Sequence, residues 1–389
     1  LEGTMSASGG SGGGEVLLGG DYQGKNAEVK NAQATVMGKD AEIMADAMVN
    51  GDGGKIILWS DEYTGFYGEL FARGGVEGGN GGLIEASSKN NLQAFGSANA
   101  SALVGKAGLW LLDPQNVSII NGGVGNLTDG VFDPSTPDAT IAPATIVAAL
   151  DGGTSVTITT GSTGTQAGNI TVTDAVVTAA TANTSLTLSA ANNIIVNYRI
   201  DLSSSSGAAN VLLLADADAS GSGTVTLNAA VTSGTTGTVT LQGASRIQVG
   251  TTLTARNVIF RQSTTGTTMG VADSIGTVQV ALSDLQNLSA NGTVTLGRSD
   301  STGTIRIGGT AALDLSGESY ELAILTASLG QTRLNGNITT SGKAITFDSA
   351  VVITGDRTLK TDQGVATGAA ITMNKAVDSD GLSGVTGAF

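Results

Sequence analysis

Short runs in which every second residue is apolar recur along most of the chain. They include "NITVTD" from 169, "SLTLSA" from 185, "NIIVN" from 193, "NVLLLA" from 210, "TVTLNA" from 224, "TVTLQG" from 238, "TVQVAL" from 277, "TVTLGR" from 293, "TIRIGG" from 304 and "AITFD" from 344. A period of two puts Val, Ile and Leu on one face and Thr, Ser or Asn on the other, so each run predicts a strand with one buried face.

A longer period lies over this alternation. From Leu186, corresponding strand positions fall at Val211, Val239, Val258 and Val278, gaps of 25, 28, 19 and 20 residues, and "AITFDSAVV" (344–352) returns as "AITMNKAVD" (370–378) after 26. Repetition on this scale signals a solenoid, whose units cannot bury their own apolar faces and so stack on their neighbours. A β-sandwich has turn signals every 8 to 12 residues without the longer period, and carries aromatic residues in its core. Only 4% of these residues are aromatic. The expected fold is all-β, a right-handed parallel β-helix, with on the order of 16 coils along a rod of about 75 Å.

All four prolines, Pro114, Pro134, Pro137 and Pro143, fall between 113 and 143 and mark a break in the strand stacking. Directly afterwards Ile146, Val147 and Leu150 share one helical face, with Pro143 at the first turn and Gly152 and Gly153 as a stop, which predicts one short helix near 144–150. Three segments follow: a Gly-rich β-helix block (1–112), a Pro-containing junction (113–160), and repeats of about 20 to 28 residues (161–389).

Composition narrows the function. A formal charge of −15 repels phosphate backbones and anionic membrane surfaces, which argues against nucleic-acid partners. The absence of His and Cys removes the commonest general base, the thiol nucleophile and most zinc sites, and no cofactor is expected. The longest apolar run, "VLLLA" at 211–215, is strand-sized, so no membrane insertion is expected. The start "LEGTMSASGG" carries neither an initiator Met nor a leader and reads as an internal or processed segment.

The ordered motifs "GGGEVLLGGDYQGKN" (12–26), "NAQATVMGKDAEIMADA" (31–47), "GDGGKIILWSDEYTGFYGELFARGG" (51–75), "EGGNGGLIEASSKNNL" (77–92) and "GKAGLWLLDPQNVSI" (105–119) closely resemble the filamentous-haemagglutinin-like large exoproteins of Gram-negative bacteria. These are adhesins of the two-partner secretion pathway. The resemblance covers about the first 120 residues and implies a right-handed β-helix, exported through an outer-membrane secretion pore and displayed as a long fibre at the bacterial cell surface. The family's amino-terminal secretion domain has no counterpart in this sequence, which places the segment downstream of one.

Several residues are candidates for chemistry. In "KIILW" alternation sets Ile57 and Trp59 opposite Ile56 and Leu58, so Trp59, with Tyr63 and Tyr67, is a candidate surface-contact aromatic; the structural alternative has the rings covering a turn and a coil edge. Asp216 and Asp218, two apart on an expected strand, would share a face, as a Ca²⁺ pair, an acid/base pair or simply solvated positions; the Gly-rich Ca²⁺ nonapeptide is absent, and no catalytic or metal residue is assigned. Of eight Asn-x-Ser/Thr sequons, Asn116, Asn126, Asn169 and Asn337 are candidate glycosylation sites, although strand alternation in a Thr-rich chain generates such triplets by itself. Asn192, Asn193 and Asn197 are candidates for corner asparagines that hydrogen-bond from coil to coil.

These features converge on a non-enzymatic surface adhesin or fibre shaft that acts through avidity, meets a host, neighbouring-cell or glycan receptor, and self-associates end to end or laterally. Two alternatives share the architecture: a β-helical polysaccharide-degrading enzyme, which requires a groove of clustered charged residues, and the shaft of a contact-dependent toxin-delivery exoprotein or filament subunit.

Overall fold

The computed structural model describes residues 1–122, 138–161, 166–179, 183–205 and 207–379. The chain winds as a parallel β-helix. Among the described residues one face is a 13-stranded sheet running from Glu15–Leu18 to Ile371–Met373, and a second is a 15-stranded sheet running from Ala34–Met37 to Val377–Ser379. Every pairing between these strands is parallel; an isolated bridge between Ser341 and Asp362 is antiparallel. The inward residues stack in register from Val16 through Ile56, Ile84 and Trp110 to Val156, and one continuous cluster of buried side chains extends from Val16 to Val351.

The register bears out most of the predicted period. Leu186, Val211, Val239 and Val258 are successive partners on the 13-stranded face, and Ile345 pairs with Ile371. Val278 departs from it. The partner that follows Val258 is Val294, 36 residues on, while Val278–Val280 lies in the other sheet. Thirteen strands on the longer-spaced face correspond to about 60 Å of stack rather than the expected 75 Å.

Two insertions account for the two extra strands of the second face, and they share one construction. Ala139–Ile141 is wedged between Asn91–Ala94 and the earlier strand Val117–Ile119; likewise Val278–Val280 is wedged between Arg246–Val249 and the earlier strand Met269–Val271. Each wedged strand leads directly into a helix, Pro143–Asp151 in the first case and Leu282–Gln286 in the second. The expected helix is therefore present, with a second, shorter one. The first packs between Ser97–Asn99, the last strand of a 4-stranded parallel sheet, and Val176–Val177, the first strand of a 5-stranded one; these shorter sheets make up a third face.

Glycine sets the corners of the first coils. A glycine just before each strand, the second of a Gly pair at Gly54 and Gly82 and preceded by Ala107 at Gly108, donates its N–H to an alanine carbonyl across the corner: Gly54 to Ala45 (2.7 Å), Gly82 to Ala72 (2.8 Å) and Gly108 to Ala100 (2.8 Å). A Cβ on the first glycine of the pair one coil earlier would collide with that same oxygen: Gly13 with Ala45 O at 1.9 Å, Gly53 with Ala72 O at 2.0 Å and Gly81 with Ala100 O at 1.7 Å. The corner closes only over bare backbone.

Candidate functional site

The chain departs from a plain coil between Leu18 and Ala34. Val16 and Ile56 are register partners 40 residues apart, against 28 for Ile56 and Ile84, and much of the excess is one loop. It turns at Gly19 (φ 81°), forms a single 3₁₀ turn at Tyr22–Gly24 capped by the Asp21 carboxylate, and closes where Ala32 N–H donates to Gly19 O (2.7 Å).

This loop roofs the outward face of the 13-stranded sheet. Leu17, Ile57, Glu85 and Leu111 stand side by side there, and the loop lies over them, so Ile57 and Leu111 are buried although they point away from the core. Trp59 lies under the same roof. A Cβ on Gly20 or Gly24 would sit 2.6 Å or 2.4 Å from the indole, so both positions require glycine.

Two carboxylates fasten the loop, with opposite electrostatics. Asp21 accepts from Asn26 Nδ2 (2.8 Å), from the Tyr22 N–H (2.7 Å) and from Lys55 Nζ (3.0 Å), which together lower its pKa to about 2. Glu85 has no exposed surface and accepts the Gln23 N–H at 3.1 and 3.2 Å; burial outweighs these bonds and raises its pKa to about 7. Gln23 adopts φ 53° and donates through Nε2 to Asp113 (2.9 Å), whose pKa burial also raises, against the pull of Lys25.

Beside the roof opens a cleft of about 560 Å³. The loop contributes Lys25 and Asn31; strand ends of successive coils contribute Trp59, Lys89, Asp113, Ser189 and then Asp218 from a turn. Two of these residues each bury a polar atom without a hydrogen-bond partner: the Trp59 Nε1 donor and the Asn31 Oδ1 acceptor. The amide nitrogen of Asn31 is engaged, donating to Asp61 Oδ1 (3.0 Å) and Gly24 O (3.2 Å).

The sequence candidates fall in different places. Trp59 and Tyr63 are buried at 5% and 4% exposure, so neither ring stands free on the surface; Tyr67 is half-buried, with its ring stacked on Phe95 at 5.9 Å and its hydroxyl 3.1 Å from that of Tyr63. Asp216 and Asp218 occupy a turn rather than a strand and share no face. Asp216 is buried and holds the turn by accepting from Gly221 N–H (2.9 Å) and Ser220 Oγ (3.0 Å), while Asp218 is exposed at the cleft.

The asparagines form ladders. Asn116 Oδ1 accepts the Asn169 N–H (2.8 Å), Asn169 Oδ1 accepts the Asn193 N–H (3.1 Å), and Asn193 Oδ1 accepts the Thr224 N–H (2.9 Å). Asn337 makes the equivalent bond to the Thr358 N–H (2.9 Å), and Asn228 donates to Asn197 (2.9 Å). Asn192 takes part through its backbone N–H, which donates to Gly168 O (2.9 Å). Asn126 lies outside the described residues.

Glu85, Asp113, Asn31 and Lys89 escaped the sequence reading. A usable signal existed for one of them: Glu85 falls in register with outward Leu17, Ile57 and Leu111, and a row of outward apolar residues implies a covered face. No protein-family model matches the chain, and no curated protein sequence matches it.

Proposed function

We propose that the chain is a shaft segment of a bacterial surface adhesin, a stiff non-enzymatic rod that carries binding surfaces away from the cell. The observation behind this reading is the uninterrupted parallel stack, in which each coil is hydrogen-bonded to its neighbours over one continuous core. Such a stack resists bending because any flexure strains several ladders at once, and it presents outward side chains at a regular interval suited to repeated weak contacts. Export through an outer-membrane pore belongs to the same proposal and rests on the motif resemblance between residues 12 and 119. The paired carboxylates at the loop favour no enzymatic alternative, because Glu85 is sealed beneath Gln23 and offers no route to a substrate. Immunogold electron microscopy of intact producing cells with antibodies against the purified chain tests this function. Label along filaments outside the outer membrane is expected; label confined to the cell interior would overturn it.

A further inference from the structure

Two residues lining the cleft beside the loop at 19–33 each bury a polar atom without a partner, as Trp110 does in the core. Trp59 Nε1 is a buried donor with nothing to donate to, and Asn31 Oδ1 is a buried acceptor with nothing to accept. Leaving either unsatisfied is costly, and both belong to residues that line one cavity. The remaining lining mixes signs and roles. Lys25 and Lys89 supply donors, Asp61, Asp113 and Asp218 supply acceptors, and Ser189 carries a hydroxyl able to do either.

We infer that this cleft is a binding site for an extended saccharide. A ligand matching these walls must donate and accept along its whole length, which every hydroxyl of a sugar chain does. A phosphate-bearing chain is repelled by three carboxylates, and a lipid or apolar peptide would strip water from the charged groups without replacing it. The shape agrees. The lining residues come from the ends of six successive coils, Trp59 on one and Asp218 on the last, so the cleft runs along the fibre axis for about 24 Å, suited to a chain rather than a single small molecule. The indole edge of Trp59 and the ring of Pro114 supply its apolar contacts.

The site deepens the shaft reading by naming what the rod's wall takes, and rests on that reading only for its display at a surface. The test needs no cell. The chain has two tryptophans, so a ¹H–¹⁵N spectrum of the purified protein contains two indole N–H signals, which Trp59→Phe assigns by deleting one. Trp110 is fully buried in the core against Phe66 and serves as the internal reference. Cellohexaose, chitohexaose and maltohexaose, all uncharged, are titrated separately to millimolar concentration, with glycerol as a small-polyol control.

The expected result is that at least one hexasaccharide shifts the Trp59 signal, leaves that of Trp110 in place, and binds about tenfold more weakly to the Lys89→Ala and Asp113→Asn variants, whose circular dichroism matches the parent. No shift with any hexasaccharide overturns the site. So does an equal shift with glycerol, which would mean that the two atoms take any hydroxyl, water included. Failure of this titration leaves the filament labelling untouched, and loss of the labelling leaves the titration untouched.

Discussion

The first four coils and the coils after residue 160 weight two solutions to the corner problem differently, although Gly234 in a later coil still donates its N–H to Ala209 O (2.9 Å) and Asn80 in an early one accepts the Lys106 N–H (2.9 Å). Where two strands meet at a corner, the next coil is one strand spacing away, and the backbone N–H groups at the bend need acceptors. In the first coils the side chain is removed: paired glycines let an N–H reach an alanine carbonyl directly, as at Gly82 and Ala72 (2.8 Å). In the later coils the side chain becomes the acceptor: Asn193 reaches the Thr224 N–H at 2.9 Å, and Asn210 reaches the Thr238 N–H at 2.8 Å on the other face. A glycine corner is intolerant because its space is already full. An asparagine corner fails by losing one bond.

That contrast orders the expected effects of substitution. Gly81→Ala is the most damaging, since its Cβ would lie 1.7 Å from the Ala100 carbonyl oxygen; a loss on the order of 3–5 kcal/mol in chemical denaturation is expected. Gly317→Ala, with nothing within 4 Å of its Cβ, is the matched control and stays within about 0.5 kcal/mol. Equal losses at the two sites would abolish the distinction.

Next comes Glu85→Gln, which acts through pH. The native pKa of Glu85, about 7, lies above its ordinary value of 4.5, so its contribution to stability is complete below pH 4.5 and is lost as pH rises through 7. The variant lacks this loss. Denaturant midpoints measured across pH are expected to coincide near pH 4.5 and to favour Glu85→Gln by up to about 3 kcal/mol at pH 8; parallel curves would remove Glu85 from the account. Asp21 has the opposite sign: its pKa of about 2 stabilises the fold above pH 3.8 and ceases to do so as pH falls through 2. The loop at 19–33 is thus held best between about pH 4 and 5.

Apart from the Gly317 control, Asn193→Ala gives the smallest effect of the series. It deprives the Thr224 N–H and hydroxyl of their shared acceptor and costs about 1–2 kcal/mol, read from the same denaturation curves. A loss as large as that at Gly81 would show that the asparagine corner also has no slack.

The strands and most of their register were legible because alternation and period report the inward face directly: Leu186, Val211, Val239 and Val258 needed no structure to align. Val278 misled because a wedged strand alternates like any other, and nothing local says that it belongs to an extra level. The helix at Pro143–Asp151 was announced by Pro143 and the following glycines, whereas Leu282–Gln286 is a single turn or so with no such punctuation. The cleft was the least legible part. It depends on a loop crossing to residues 34 to 90 positions away, and "KIILW" alone cannot show that both of its faces are covered, one by the core and one by residues 19 to 24.

The central claim is that successive coils stack along one axis in the observed register. The chain has no Cys, so spin labels can be placed in pairs without background. Thr157, Thr295 and Thr346 stand on one outward ladder, with Thr295 five coils and Thr346 seven coils from Thr157. Electron–electron distances between Cys labels at 157 and 295, and at 157 and 346, are predicted to be narrow, near 24 Å and 34 Å, a difference of about 10 Å for two coils. Distances that fail to grow with coil number, or that scatter broadly, would contradict the stack.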